Sequence, residues 1–319
     1  GMVAGEAAVF FFSGALLRRS RYIRLRQAHP GEPVRLRQLL HIAGPDAAGA
    51  CARSVLLTTE HLLIPRGFEA AGRSKEEAMR VYGVIHGMAL PVLLYPSAVL
   101  SSLASLLVPE ISQLRVQKKA DQIDRAAAKI LKLSLLYGVF AGGVFYAFAT
   151  PLCLRIFGNT EAARYLQLLA PLVPVMYLDM SVDGMLKGLD EQKASMLYNM
   201  IDSGVCVALV YLLLPRMAMK GYIIVLFVSE IYNFTFSLRR LIKVTGLARP
   251  TVRQVLKPLL AVACAALIPL GVFKIVAPGL PSRSTFWLAA GIAGAGLCYF
   301  ITLCLAGSLR RDDFQLHRL

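Results

Sequence analysis

The sequence predicts an all-α integral membrane protein, and three observations carry that prediction. Of 319 residues, 56% are hydrophobic and 17% are charged, where a soluble domain carries about 25% charge; the mean hydropathy is +0.59. Apolar windows of about 20 residues, enough to cross roughly 30 Å of hydrocarbon, recur along the whole chain. Finally, Lys and Arg concentrate in alternate loops, the charge pattern that orients helices crossing a bilayer once each.

Taken in order, residues 2–17 read as the end of an apolar helix. They begin abruptly, and GMVAGEAAVFFFSGALL has neither a basic leader nor a small-residue cleavage site, so the segment is expected to be no signal peptide and the chain a piece of something longer. Six arginines between Arg18 and Arg35, with Pro30, Gly31 and Pro33, predict a polar linker. Eight complete spans come next, near 36–65, 81–109, 129–152, 162–186, 195–214, 219–238, 256–277 and 284–306. The loop at 66–80 is expected to hold a short helical turn at SKEEA, with Ser74 as N-cap and Glu77 closing a capping box. PEISQLRVQKKADQIDRAAAKILK predicts one amphipathic helix running into the third span.

Of the 35 Lys and Arg, 24 fall in the linker, the loops at 110–132, 187–193 and 239–257 and the stretch after 307; 10 fall in the intervening loops, and Arg53 is left over. This split places the linker and the C-terminus in the cytoplasm, against anionic lipid. A formal net charge of +16 thus reflects orientation in a membrane and excludes a nucleic-acid partner. Six cysteines, Cys51, Cys153, Cys206, Cys264, Cys298 and Cys304, form no CxxC pair and read as small packing residues. GIAGAG at 291–296 lies inside an apolar span with no strand before it, so close helix packing is expected there instead of nucleotide binding.

Pro45, Pro91, Pro96, Pro171 and Pro174 interrupt spans. Each removes a backbone donor, and a bilayer tolerates the break where the freed carbonyl meets protein or a watered cavity. No HExxH, Walker loop or GxSxG is present, and His29, His41, His61, His86 and His317 show no ligand spacing. The expectation is therefore no enzyme, no metal and no cofactor, and function is sought in polar groups inside the spans, which are costly there and usually kept for a purpose.

Arg53 is the sharpest of these. It lies mid-span, seven residues and so two turns before Glu60, which puts both on one face. A guanidinium facing a cavity suits a phosphate or pyrophosphate; the alternative is a structural Arg53–Glu60 link bridged by water or another helix. Asp179, Asp183 and Lys187 stack at intervals of four. Asp179 is deep enough to bind a proton, a cation or a sugar hydroxyl, whereas Asp183 near the basic end reads as an ion pair with Lys187. Glu230 and Asn233 share a helix face, and Asp202 lies nearer the basic end; Asp183 and Asp202 are coupling or structural candidates. The NFT triplet at Asn233 is buried in a span and is discounted as a glycosylation site.

The run HLLIPRGFEAAGRSKEEAMRVYGVIHGMALPVLLYPSAVLSSLASLLVPEIS, residues 61–112, closely resembles the stage V sporulation protein B-like family of polysaccharide exporters. MLKGLDEQKA, the span containing Asp202 and KGYIIVLFVSEIYNFTFSLRRLIKVTG are also similar to that family, which belongs to the multidrug, oligosaccharidyl-lipid and polysaccharide exporter superfamily with the lipid II flippase MurJ. The resemblance implies a MATE/MurJ-like transporter fold of two six-helix lobes around a cavity open to alternate sides. This chain would supply the end of helix six (1–17), the cytoplasmic inter-lobe linker (18–35), the six-helix C-lobe (36–238) and two further helices with a cytoplasmic tail (239–319). It implies that Arg53 and Glu60 lie on a cavity-lining helix, a localisation in the bacterial cytoplasmic membrane, and as partners a lipid-linked glycan, membrane lipids and the N-terminal lobe. The expected function is translocation of an undecaprenyl-pyrophosphate-linked oligosaccharide or peptidoglycan precursor by alternating access. A cation-coupled multidrug antiporter and a non-transporting scaffold for wall synthesis are the rivals.

Overall fold

A computed structural model describes residues 11–12, 14–16, 18, 36–72, 74–246 and 285–305, with side chains undescribed at 36–48, 50, 104–107, 285–287 and 305. The chain divides into two units, Gly1–Ala48 and Gly49–Leu319, and the helical bundle belongs to the second. The expected linker at 18–35, beyond Arg18, and the seventh span at 256–277 lie outside the described residues.

The described elements are helical, with no strand among them. They are α1 (Leu36–Ala70), α2 (Lys75–Val84), a π-helical turn (Ile85–Ala89), α3 (Leu90–Leu94), a 3-10 turn (Tyr95–Ser97), α4 (Ala98–Val116), α5 (Ala120–Phe157), α6 (Glu161–Leu169), a 3-10 turn (Ala170–Leu172), α7 (Val173–Gly188), α8 (Gln192–Met217), α9 (Met219–Thr245) and α10 (Thr285–Leu305). Among the described residues five helical stretches are long and apolar enough to cross a membrane: Lys75–Val116, Ala120–Phe157, Glu161–Gly188, Gln192–Met217 and Met219–Thr245. α10 contributes a shorter apolar segment, Leu288–Cys304. α1, 35 residues long and carrying Arg53, Glu60 and His61, is not among the five.

Helix ends follow local chemistry. Ser74 caps α2 as expected, its Oγ accepting from the Glu77 amide at 3.2 Å. α1 runs to Ala70, so the loop before that cap is shorter than the expected 66–80. The single amphipathic helix expected over 109–132 is instead two: α4 ends at Val116 and α5 begins at Ala120. Lys118 between them adopts φ +57°, a left-handed conformation that stops a right-handed helix. Gly158, at φ +64°, ends α5.

Four of the five expected proline breaks fall at helix ends, at the π and 3-10 turns around Pro91 and Pro96 and at the 3-10 turn holding Pro171 with Pro174 just after it, whereas α1 continues as one helix through Pro45. Their backbone groups are met by neighbouring helices. The Tyr177 hydroxyl on α7 donates to the Leu93 carbonyl at 2.8 Å, and Tyr137 on α5 donates to the Pro96 carbonyl at 2.9 Å. The two rings stack at 5.6 Å. Tyr177 is fully buried, so Tyr177→Phe leaves a buried carbonyl without its donor. The expected loss is about 1–3 kcal/mol of stability, measured by chemical unfolding in bicelles, and a change below a few tenths would show the carbonyl satisfied otherwise.

α7 is the hub, packing against α4, α5 and α9 and touching α8. A Cβ at Gly138 or Gly142 of α5 would come within 2.8 Å of α7's Pro174 or the preceding Ala170 carbonyl, so small residues set that crossing. Within GIAGAG the close packing falls on Gly296, where a Cβ would press on Phe140, while Gly294 faces open space; beyond it the Tyr299 hydroxyl donates to the Leu136 carbonyl at 2.8 Å. Cys153 and Cys206 are buried, while Cys51, Cys298 and Cys304 are exposed free thiols; Cys264 lies outside the described residues.

Candidate functional site

Polar residues that the sequence scatters between Arg53 and Asn233 converge between α1, α7, α8 and α9. On α7, Asp179 is 8% exposed and accepts from the Asn233 amide of α9 at 3.0 Å. The same amide reaches the Asn199 carbonyl oxygen at 3.3 Å. Asn199 donates to the backbone carbonyl of Ser195 at 2.9 Å, and the Ser195 hydroxyl donates to Asp183 at 2.7 Å. Asp179, Asn233, Asn199, Ser195 and Asp183 thus form one hydrogen-bonded file linking three helices. The remaining acceptor oxygens of Asp179 (Oδ1) and Asn233 (Oδ1) are buried without a partner among the described residues.

A second group lies beside the file. Asp202 on α8 accepts from Ser229 of α9 at 2.8 Å and lies within Coulombic reach of Arg53. Glu230 lies within reach of Asp202 and Asp183, and Glu60 within reach of Asp202. Arg53 is exposed and forms no direct ion pair with Glu60; Asp202 of α8 lies within Coulombic reach of both. Of these carboxylates, Asp202 is the one within Coulombic reach of the Arg53 guanidinium.

All seven predicted residues, Arg53, Glu60, Asp179, Asp183, Asp202, Glu230 and Asn233, therefore fall in one region. The expected Asp183–Lys187 ion pair is replaced: Asp183 takes the Ser195 hydroxyl, and Lys187 is exposed. Sequence reasoning missed Ser195 and Asn199, although Ser195, Asn199 and Asp202 stand at i, i+4 and i+7 on one face. Their polar spacing was the available signal.

Two histidines distant in the chain come together. His61 of α1 and His86 of the π turn lie ring to ring at 5.2 Å, a pairing across helices that chain separation hides. Tyr82 hydrogen-bonds His61 Nδ1 at 2.8 Å, and Tyr222 of α9 hydrogen-bonds His86 Nε2. Ion pairs mark both ends of the bundle, Arg80–Glu161 at 2.8 Å between α2 and α6, and Arg240–Glu191 at 2.6 Å where α9 meets the turn before α8.

Residues 83–212, from α2 to the apolar half of α8, match the MatE family. The chain is 25% identical over 218 residues to stage V sporulation protein B of Bacillus subtilis (strain 168), covering 67% of this chain and 42% of the relative. It is 27% identical over 217 residues to sporulation protein YkvU of the same organism, covering 67% of this chain and 48% of that relative. The matches thus span less than half the length of either relative. The sequence resemblance and the helical architecture agree, and the chain is a multi-pass, all-α, MatE-like membrane protein similar to stage V sporulation protein B.

Proposed function

We propose that this chain is the cavity-bearing C-terminal lobe of an exporter that carries an anionic, lipid-linked oligosaccharide or peptidoglycan precursor outward by alternating access. The observation that carries the reading is Arg53: an exposed guanidinium with no ion pair among the described residues, midway along a helix of an apolar bundle. In hydrocarbon that group costs a few kcal/mol on insertion scales, so it belongs at a watered cleft. A permanently charged, forked donor there recognises phosphate oxygens. The headgroup crosses in the cleft while its lipid tail stays in the bilayer, and Glu60 and the Asp202 group orient sugar hydroxyls or offset the bound charge. In this reading the basic loop ends of α4, α7 and α9 face the cytoplasm and the Ser74 loop faces outward.

The cluster of carboxylates Glu60, Asp179, Asp183, Asp202 and Glu230 favours a second reading, a cation-coupled drug antiporter, in which the carboxylates hold the ion and a cationic drug. Arg53 stands against it, since it repels such a drug. Full-length protein in liposomes, supplied with undecaprenyl-pyrophosphate-linked precursor or with a cationic dye, separates the two. Outer-leaflet precursor rising at least tenfold over protein-free liposomes supports the exporter; dye movement without precursor movement supports the antiporter; neither supports a scaffold. Residues 1–319 alone are expected to move neither, because one wall of a cleft cannot alternate.

A further inference from the structure

We propose that His61, Tyr82, His86 and Tyr222 form a proton relay between the outer mouth of the bundle and the Glu60 carboxylate. The four rings come from three helices and the π turn and touch in sequence. Tyr82 and His61 are hydrogen-bonded at 2.8 Å, His61 and His86 stand edge to face at 5.2 Å, Tyr82 stacks on His86 at 4.4 Å, and His86 hydrogen-bonds Tyr222. Each member is held by one tyrosine–histidine hydrogen bond and carries a group able both to donate and to accept, which simple ring packing does not require. Phe or Leu would fill the same volume without four polar atoms to satisfy.

Position supports the same role. His61 precedes the end of α1 by nine residues, a depth of about 13 Å, and Tyr82 lies just past Arg80 of the Arg80–Glu161 pair at the mouth. His86 sits in the π turn Ile85–Ala89, the wide turn that tends to mark functional positions within helices. Glu60, 9% exposed, makes no hydrogen bond with any described residue. It precedes His61 on the same helix and lies within Coulombic reach of Tyr82 and Tyr222, so a buried carboxylate stands beside the relay as its acceptor. The other titratable groups facing the relay are Asp202 and Cys206 of α8, both within reach of Glu60.

The transfer balances without any redox partner. One proton binds one imidazole nitrogen as another leaves the opposite nitrogen, and each phenol passes one proton on as it accepts the next. Between the two hydrogen-bonded pairs a ring rotation or one bridging water completes the path. From Glu60 the Asp202 group leads toward the Asp183 end, giving the proposed exporter, on whose sidedness this inference rests, a source of drive.

The test uses full-length protein in liposomes enclosing a pH-sensitive dye, after an external acid step. Wild type should acidify the lumen at least tenfold faster than protein-free liposomes. His61→Gln and His86→Gln, which keep a hydrogen bond to tyrosine but cannot pass a proton, should slow it fivefold or more, and Glu60→Gln should return it to the protein-free rate. Wild-type flux no faster than protein-free liposomes, or full flux in both Gln variants, overturns the relay. If the variants fail to fold, 15N-histidine spectra of wild type decide: His61 and His86 should exchange between tautomers on the millisecond scale, and single fixed tautomers for both overturn it. Precursor translocation measured in the same vesicles keeps the two readings apart, since translocation without proton flux sinks the relay alone, and proton flux without translocation sinks the exporter alone.

Discussion

Arg53→Ala in the full-length protein should abolish most precursor translocation while leaving the fold intact. Removing a charge-assisted, two-pronged contact to phosphate costs about 1.5–3 kcal/mol, which corresponds to a roughly 10- to 100-fold fall in apparent affinity. Arg53 is exposed and holds no ion pair among the described residues, so unfolding resistance should change by less than about 0.5 kcal/mol, the usual range for surface substitutions. Arg53→Lys should recover only part of the activity, because an ammonium keeps the charge and loses the fork. The readout is the initial rate of outer-leaflet precursor against its concentration in liposomes. A normal rate in Arg53→Ala would remove the pyrophosphate role, and a collapse of stability would make Arg53 a structural residue instead.

The legible part of this protein was the part written in composition and local chemistry. The helices from Lys75 to Thr245 follow from apolar length, the cap at Ser74 from its hydroxyl, and the breaks near Pro91, Pro96 and Pro171 from a missing donor. Polar residues within spans marked the site, because only a partner or a cavity makes them tolerable there. Which partner each one takes is a property of helix crossings. Asp183 has Lys187 one turn away and nevertheless bonds Ser195 on the next helix. No motif joins His61 to His86, yet a reversal at Gly72 and the π turn bring their rings together. The break at Lys118 was unreadable for a different reason: a left-handed lysine carries no compositional mark.

The largest stability effect is expected at the junction of α7 and α9. Asn233 supplies the only hydrogen bond that the Asp179 carboxylate receives among the described residues, at 3.0 Å and with both residues over nine-tenths buried. Asn233→Ala withdraws that donor and leaves Asp179 with no partner for either oxygen, since Oδ1 already lacks one. A hydrogen bond to an acidic group contributes about 1.5–3 kcal/mol, and stranding the group adds desolvation, so a loss of about 2–4 kcal/mol is expected. Asp179→Leu with Asn233→Leu should restore most of it, because an apolar pair of similar volume leaves no buried carboxylate and removes from the half-buried Asn199 oxygen only a long, 3.3 Å contact. The double variant should then be stable but unable to translocate if the file serves transport, and stable and active if it only joins helices. Unfolding in bicelles gives the first quantity and the precursor rate the second. An Asn233→Ala loss under about 0.5 kcal/mol would mean that water or lipid already satisfies Asp179, and the junction would then be a wetted extension of the cleft.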